Sequence, residues 1–238
     1  MAEDVKDEWN TFHKLFLTTK TYHPSILKSL TINEGGVVKR IENTKYDLVT
    51  GNVLETEYSN SLGEMFRSEV IPAYHKYPEM GSKALNPNNK NMMRQNAADY
   101  LYSLNGVGEE EVISASVQTW NEDWTYRDFN SNSEKFEYTT SPNSNIWRKH
   151  KTYIWNGPLN DNGTYANFTD FDWDAAPHSN WKNVQEYTLF NHYSKPLEVQ
   201  DINYNKSASK MGYGNAHTLL AAANSRYTES YYSGAEDK

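Results

Sequence analysis

Three carboxylates stand at alternate positions in the run Asp170-Phe171-Asp172-Trp173-Asp174. On an extended strand, successive side chains point to opposite faces, so Asp170, Asp172 and Asp174 would share one face and the two rings the other. Clustered oxygen donors suit calcium, and Asn160, Asp161 and Asn162 lie near enough in sequence to add further oxygen ligands. The run Asn160-Asp161-Asn162-Gly163 does not make a helix-loop-helix calcium loop, because Pro158 stands where the first acidic ligand belongs. The competing reading is a solvated acidic face over a buried aromatic one. It is preferred, since a run of charge usually faces water.

A second constellation is aromatic. Trp120, Trp124, Trp147, Trp155, Trp173 and Trp181 concentrate in one stretch of the chain. An indole covers the apolar face of a sugar while amides and carboxylates bond its hydroxyls, so Trp120, Trp124 and Trp181 are candidate platforms for glycan stacking. Cross-strand aromatic packing accounts for the same residues without a ligand and is favoured, because Leu, Ile and Val are sparse for a core. On that reading Trp147, Trp155 and Trp173 are buried and stabilising.

Other chemistries find little support. The seven histidines show no HxH or HExxH spacing, so zinc is not expected. No GxSxG elbow, P-loop or dinucleotide fingerprint occurs, and Gly106-Val107-Gly108 opens an acidic run that would repel phosphate. Carboxylate pairs abound without one that marks a glycosidase. There are no cysteines, hence no disulfide, thiolate metal site or thiol nucleophile. No catalytic residue and no cofactor is assigned beyond the calcium candidate. A net charge of −8 disfavours nucleic acid, and Arg148-Lys149-His150-Lys151 is the longest basic run. No apolar stretch approaches the roughly 20 residues that span a bilayer. The acidic start, Met1 to Glu8, lacks the basic and apolar regions of a signal peptide, which suggests a cytoplasmic chain or a segment of something longer.

The elements that must position these residues read as strands. Tyrosine contributes 18 residues and asparagine 27, a mixture that favours pleated surfaces joined by turns. Turn signals recur every 8–14 residues over 24–75, the spacing of hairpin-linked antiparallel strands. Strands are expected at Ser25–Ile32, Val37–Asn43, Val53–Tyr58, Glu64–Ile71, Tyr100–Leu104, Val112–Trp120, Phe136–Thr139, Trp147–Asn156, Tyr165–Asp174, Val184–Tyr193, Pro196–Asp201 and Lys206–Tyr213. Short helices are expected near 5–17, 88–98 and 219–230. The fold class is mainly β, an antiparallel meander. Residues 1–23 form an N-terminal segment, 24–218 one continuous array, and 219–238 a closing helix and tail.

Two segments look like copies of one unit, Tyr46-Asp47-Leu48-Val49-Thr50-Gly51-Asn52-Val53-Leu54-Glu55 and the stretch from Leu189 to Asp201 around Asn191 and Glu198. Each runs from an aromatic through Asp or Asn to a turn, an apolar pair and an acid. The Asx side chain would cap the turn by accepting from a backbone N–H. This unit resembles the YD repeat of RHS proteins. Roughly residues 25–237 are similar to large YD-repeat proteins of Bacteroidetes, through Ile71-Pro72-Ala73-Tyr74, Asp170-Phe171-Asp172-Trp173, Pro196 to Asn203, Ala222 to Glu229 and Tyr232 to Asp237 among other runs. The resemblance implies a β ribbon that spirals into a shell, in proteins often exported and very large. Only one true Tyr-Asp unit is present, so a complete cocoon is not expected, and a fragment or reduced relative is. The expected function is a non-enzymatic structural or interaction module, part of an extracellular shell or adhesin scaffold at the cell surface. The alternative is a carbohydrate-binding module. Expected partners are other segments of a larger protein or a second copy, with the two chain ends packed over the sheet's edges.

Overall fold

Eleven strands lie side by side in one open antiparallel sheet, nearly all beside their neighbours in sequence. The computed structural model describes residues 19, 25–105, 109–124, 127–130, 132–133, 135–138 and 146–232; the helix expected over 5–17 lies outside them. The strands are β1 (Ser29–Glu34), β2 (Val37–Tyr46), β3 (Val53–Ser59), β4 (Met65–Pro72), β5 (Asn96–Leu104), β6 (Glu110–Asn121), β7 (Arg127–Asn130), β8 (Lys135–Tyr138), β9 (Arg148–Trp155), β10 (Trp181–Phe190), β11 (Pro196–Asp201), β12 (Lys206–Gly212) and β13 (His217–Ala222). Only β7 and β8 leave the order, pairing with each other while β6 pairs with β9. The helical pieces are α1 (Ala73–Lys76) and a 3-10 turn over Pro78–Met80. Expected strand positions outside 165–174 agree with the observed ones to within a few residues.

Repeated turn chemistry explains how so many strands fold in series. Asn60 and Asn191, each the residue after a strand, and Asp201, the last of its strand, hold a hairpin in the same way. The side-chain Oδ1 accepts the backbone N–H groups two and four residues on, at Leu62 and Glu64, Tyr193 and Lys195, and Asn203 and Asn205. In each, the third residue after the Asx takes a positive φ: Gly63 83°, Ser194 65° and Tyr204 64°. This is a tight turn followed by a left-handed residue, a loop that hands the chain back in register. Asp47 holds a loop one residue longer, accepting from Val49 N–H and the Thr50 hydroxyl, and Tyr74 on α1 donates to the same carboxylate. The expected Asx caps at Asp47 and Asn191 are therefore present. The β1–β2 hairpin instead turns on Gly35 and Gly36, both at positive φ, which suits the twist of a two-residue connection.

Burial is concentrated in the middle. Ala98, Tyr100, Val112, Ala115, Val117, Trp155, Phe171 and Trp181 form the largest core cluster. The strands supply one face, and the connection between β9 and β10 crosses it to supply Phe168, Phe171 and Trp173. That crossing is pinned by Tyr165 N–H to Val112 O at 2.7 Å and Trp181 Nε1 to Thr169 O at 3.0 Å. A second cluster, Ala73, Tyr74, Met80, Ala97 and Trp120, packs where the chain leaves β4 and returns to β5.

Three expectations are corrected. Residues 165–174 are not a strand: Asn167 takes φ 55°, and Phe168, Phe171 and Trp173 all reach the core, a spacing that period-two extension does not allow. Residues 88–98 are not a helix, because the N–H groups of Lys90, Asn91 and Met92 bond back to Glu79, Gly81 and Met80, and Asn91 takes φ 56°. Residues 219–230 are not a helix either. The alanine run joins β13 in pairing with β12, so the expected boundary at 218 falls inside a strand, and Asn224 at φ 53° turns the chain away. Pairing along a whole strand outweighs the weak helix preference of a few alanines.

Asn191 is buried and also donates to Asn215 Oδ1, whereas Asp201 is exposed. Asn191→Ala should therefore destabilise the protein by about 2 kcal/mol through its stranded N–H groups, and Asp201→Ala by clearly less. Paired urea melts check the ranking, and equal losses would contradict it.

Candidate functional site

The residues singled out for chemistry are placed apart from one another. Asp170, Asp172 and Asp174 are exposed, but they share no strand face. Asp172 Oδ1 accepts the N–H groups of Asp174 and Ala175, both at 3.0 Å, so this carboxylate holds a turn. Among the described residues no group of three or more histidines and carboxylates is close enough to hold a metal ion.

The three candidate glycan platforms are interior. Trp120, Trp124 and Trp181 are only 8%, 6% and 4% exposed. The Trp120 indole donates to Asn96 O, and its backbone N–H donates to the Tyr77 hydroxyl. Trp124 meets Phe190 edge-on at 4.7 Å, and Trp181 meets Phe171 at 5.3 Å and Trp155 at 5.5 Å. Packing against other side chains holds all three rings in the interior. Trp155 is buried as expected, while Trp147 and Trp173 are half-buried, Trp173 against Phe171 and Tyr77 with the Lys76 ammonium over its ring.

The core-bearing face carries two charged networks that sequence reading did not assemble. Toward β2, cross-strand pairing lines up Lys45, Glu55, Glu69 and Tyr100. Arg67 bonds Glu69 at 3.2 Å and Glu110 closely, and its guanidinium lies 4.1 Å over the Tyr102 ring. Burial pushes the Tyr100 and Tyr102 hydroxyls well above the ordinary phenol range, and the charges of Asp170 and Glu69 add to this at both. Toward β12, Glu198 accepts from Lys206 Nζ and Thr188 Oγ1, both at 2.7 Å, and from Tyr227 N–H at 2.8 Å. Lys210 stacks on the Tyr227 ring 3.3 Å from its centroid and donates to Tyr227 O. The tail thus returns across β11 and β12. The one signal for this clamp in the sequence is Lys206, Ala208 and Lys210 at alternate positions of one strand, two lysines flanking a small residue on one face.

The opposite face is open. Register places Val70, Asp99, Ser116, Ile154 and Lys182 in a row across β4, β5, β6, β9 and β10. Beside it lies a polar cleft of about 500 Å³ whose lining includes Arg94, Asp99, Ser116, Gln118, Lys149 and Thr152. Its floor is fixed: Gln118 Nε2 donates to Lys151 O and Thr119 O, and its Oε1 accepts from Thr152 Oγ1. Partial loss of solvation beside the cleft raises the Asp99 carboxyl above its ordinary range although the residue is exposed, against the lowering effect of the hydrogen bond from Asn96. A carboxylate, a guanidinium, an ammonium, an amide and hydroxyls on a rigid floor suit a polar, hydroxyl-rich ligand. Only Trp120 of the sequence candidates reaches this cleft.

Comparison with known proteins gives no match: no family model matches the chain, and no curated protein and no solved structure matches it.

Two outcomes follow from the geometry. Trp181→Ala should cost about 3–5 kcal/mol, as a large aromatic removed from a core does, measured by chemical denaturation. Loss of glycan binding at unchanged stability would instead restore a sugar platform. Glu198 loses solvation by burial, but its bonds from Lys206, Tyr227 and Thr188 outweigh this and hold the carboxyl below its ordinary value. A depressed folded value means its contribution is full above the ordinary carboxylate range and is lost as pH falls through the folded value. The Tyr227 amide resonance should therefore shift as pH falls below the ordinary carboxylate range, and Glu198→Gln should abolish that titration.

Proposed function

We propose that this chain is a structural and interaction module, a segment of a YD-repeat-like β shell or adhesin scaffold that acts at the cell surface or in secreted form, without catalysis. The observation that carries the reading is the sheet itself. It is one layer of eleven strands in almost unbroken sequence order, with β1 and β13 at its two edges. Such a ribbon continues by adding hairpins at either end, as a spiralling shell requires. The Asx-held turns support the same reading, because three of the hairpins, β3–β4, β10–β11 and β11–β12, close by one repeated device. The Tyr-Asp unit contributes a lock between its own hairpin and α1 through Asp47 and Tyr74. The resemblance implies a protein of a kind that is often exported. Protease treatment of intact producing cells, followed by immunodetection of the chain, should remove it from the cell surface or find it in the medium. A chain retained intact inside sealed cells would overturn the reading.

The polar cleft around Asp99 favours one second reading, a carbohydrate-binding module. On a glycan array the scaffold reading expects no saturable signal. Saturable binding that Asp99→Ala abolishes, with the melting temperature unchanged, would replace the scaffold reading with the carbohydrate one.

A further inference from the structure

Edge strands in natural sheets are guarded by bulges, prolines, lysines pointing along the edge, or a covering segment. The β13 edge has a bulge in its pairing with β12, between Lys210 and Met211. Within Ser29–Glu34 the β1 edge has none of these devices, and the one described lysine beside it, Lys28, stands at the outer end of the ladder. The strand's six residues pair with β2 without a register shift, contain neither proline nor lysine, and are all exposed. The face it presents is apolar: Leu30 is 44% exposed and Ile32 40%, beside Val37 at 50%.

The backbone says which groups are free. Asn43 N–H donates to Lys28 O, so Lys28 and Asn43 are a hydrogen-bonded pair. In an antiparallel ladder such pairs alternate, which assigns Leu30, Ile32 and Glu34 to the bonds with β2. Ser29, Thr31 and Asn33 therefore aim their N–H and C=O groups at the free edge.

We propose that this edge pairs antiparallel with β1 of a second copy, about a two-fold axis at Thr31. This deepens the scaffold reading, on which it rests, by naming the partner as the chain itself. The register follows from complementarity. Centred on Thr31, the outward groups of Ser29 meet those of the second copy's Asn33, and Thr31 meets its own counterpart. The residues between then oppose across the closer, non-hydrogen-bonded positions: Leu30 faces Ile32 of the second copy, and Ile32 faces its Leu30. At each end Lys28 faces Glu34 of the other copy, so opposite charges meet twice. The apolar strip continues inward on both copies, because Leu30 also pairs with Ile41, and Ile41 with Tyr58. The interface is isologous and closes at two copies, as a two-fold contact must. It is a case of strand addition, in which main-chain bonds give affinity and alternate side chains give register.

Sedimentation velocity and light scattering across a concentration series test this on the full chain. The expected result is a reversible shift from the 27.5 kDa chain to twice that mass. Thr31→Pro removes one outward N–H and leaves the bonds to β2 intact, so it should give a folded monomer by circular dichroism. Lys28→Glu and Glu34→Lys each set like charges opposite at both ends, and each should raise the dimer dissociation constant by about tenfold or more. Mixed in equal amounts, the two reversals restore opposite charges everywhere and should form a heterodimer. A wild-type chain that stays monomeric at every concentration overturns the proposal. A dimer indifferent to all three substitutions overturns it too, by placing the contact elsewhere. A monomer whose Thr31 amide is protected from hydrogen exchange also overturns it, by showing that the chain covers its own edge. None of these outcomes bears on surface exposure in the producing cell, so failure of the pairing and failure of the scaffold reading are told apart.

Discussion

A single-layer sheet must find a second layer for at least one of its faces, and here the chain makes that layer from its own irregular segment. The connection between β9 and β10 has no strand or helix, yet it lays Phe168, Phe171 and Trp173 onto Trp155 and Trp181. Ring pairs in this cluster meet mostly edge-to-face at 5.0–6.0 Å, the geometry their quadrupoles prefer. Gly157 lies at the root of the crossing, where a Cβ would stand 2.5 Å from Trp155 Nε1, so the turn out of β9 accepts no side chain without displacing the indole. Without this aromatic layer the strands would retain their hydrogen bonds and lose most of their burial. A sheet is stable on its own when three or more strands share an apolar face that can be packed.

Away from that layer the sheet uses charge where it lacks apolar cover. The Lys45–Glu55 and Arg67–Glu69–Glu110 contacts run along the core-bearing face toward the N-terminal strands. Exposed ion pairs are individually worth little. Arg67 differs, with a side chain 11% exposed and a tyrosine ring beneath it. Its role is to let strands with few apolar residues stay in register. The Glu198 clamp performs the corresponding task near the C-terminal strands, where a carboxylate gathers three donors from three separate parts of the chain.

Legibility in the sequence followed the range of the interaction. Hairpin turns are local, and the Asx residues that hold them were readable as caps at Asp47 and Asn191 because donor and acceptor lie within a few residues. Strand positions were readable for the same reason, Pro196–Asp201 to the residue. The misread segments are those whose conformation is decided from a distance. Asn91 and Met92 lost their helix to carbonyls of Gly81 and Met80, and the Ala221 run lost its helix to β12. The alternation of Asp170, Asp172 and Asp174 suggested a strand, but the left-handed Asn167 and the pull of Phe168 and Phe171 toward the core bent it into turns. The tryptophans offered as sugar platforms lie inside the fold, where the competing reading of cross-strand aromatic packing puts them. The Asp99 cleft was invisible because its lining comes from three strands and a connection.

The two ends of the sheet are unequal, and the inequality follows from where the chain goes next. After β13 it turns at Asn224 and comes back, burying Tyr227 against Leu189, Leu197 and Ala208. That return covers part of β11 and β12 with the chain's own residues. At the other end β1 and β2 form a hairpin whose β1 residues are all exposed. A hairpin alone is marginal in water, so this one is held by the continuation of the ladder into β3 and by the two-glycine turn that presets its twist. Leu30, Ile32, Val37 and Val38 remain in water at a free-energy cost that any added strand or layer would recover, about 25 cal/mol for each Å² of apolar surface removed. The N-terminal edge is therefore the end at which the sheet gains most from an added strand.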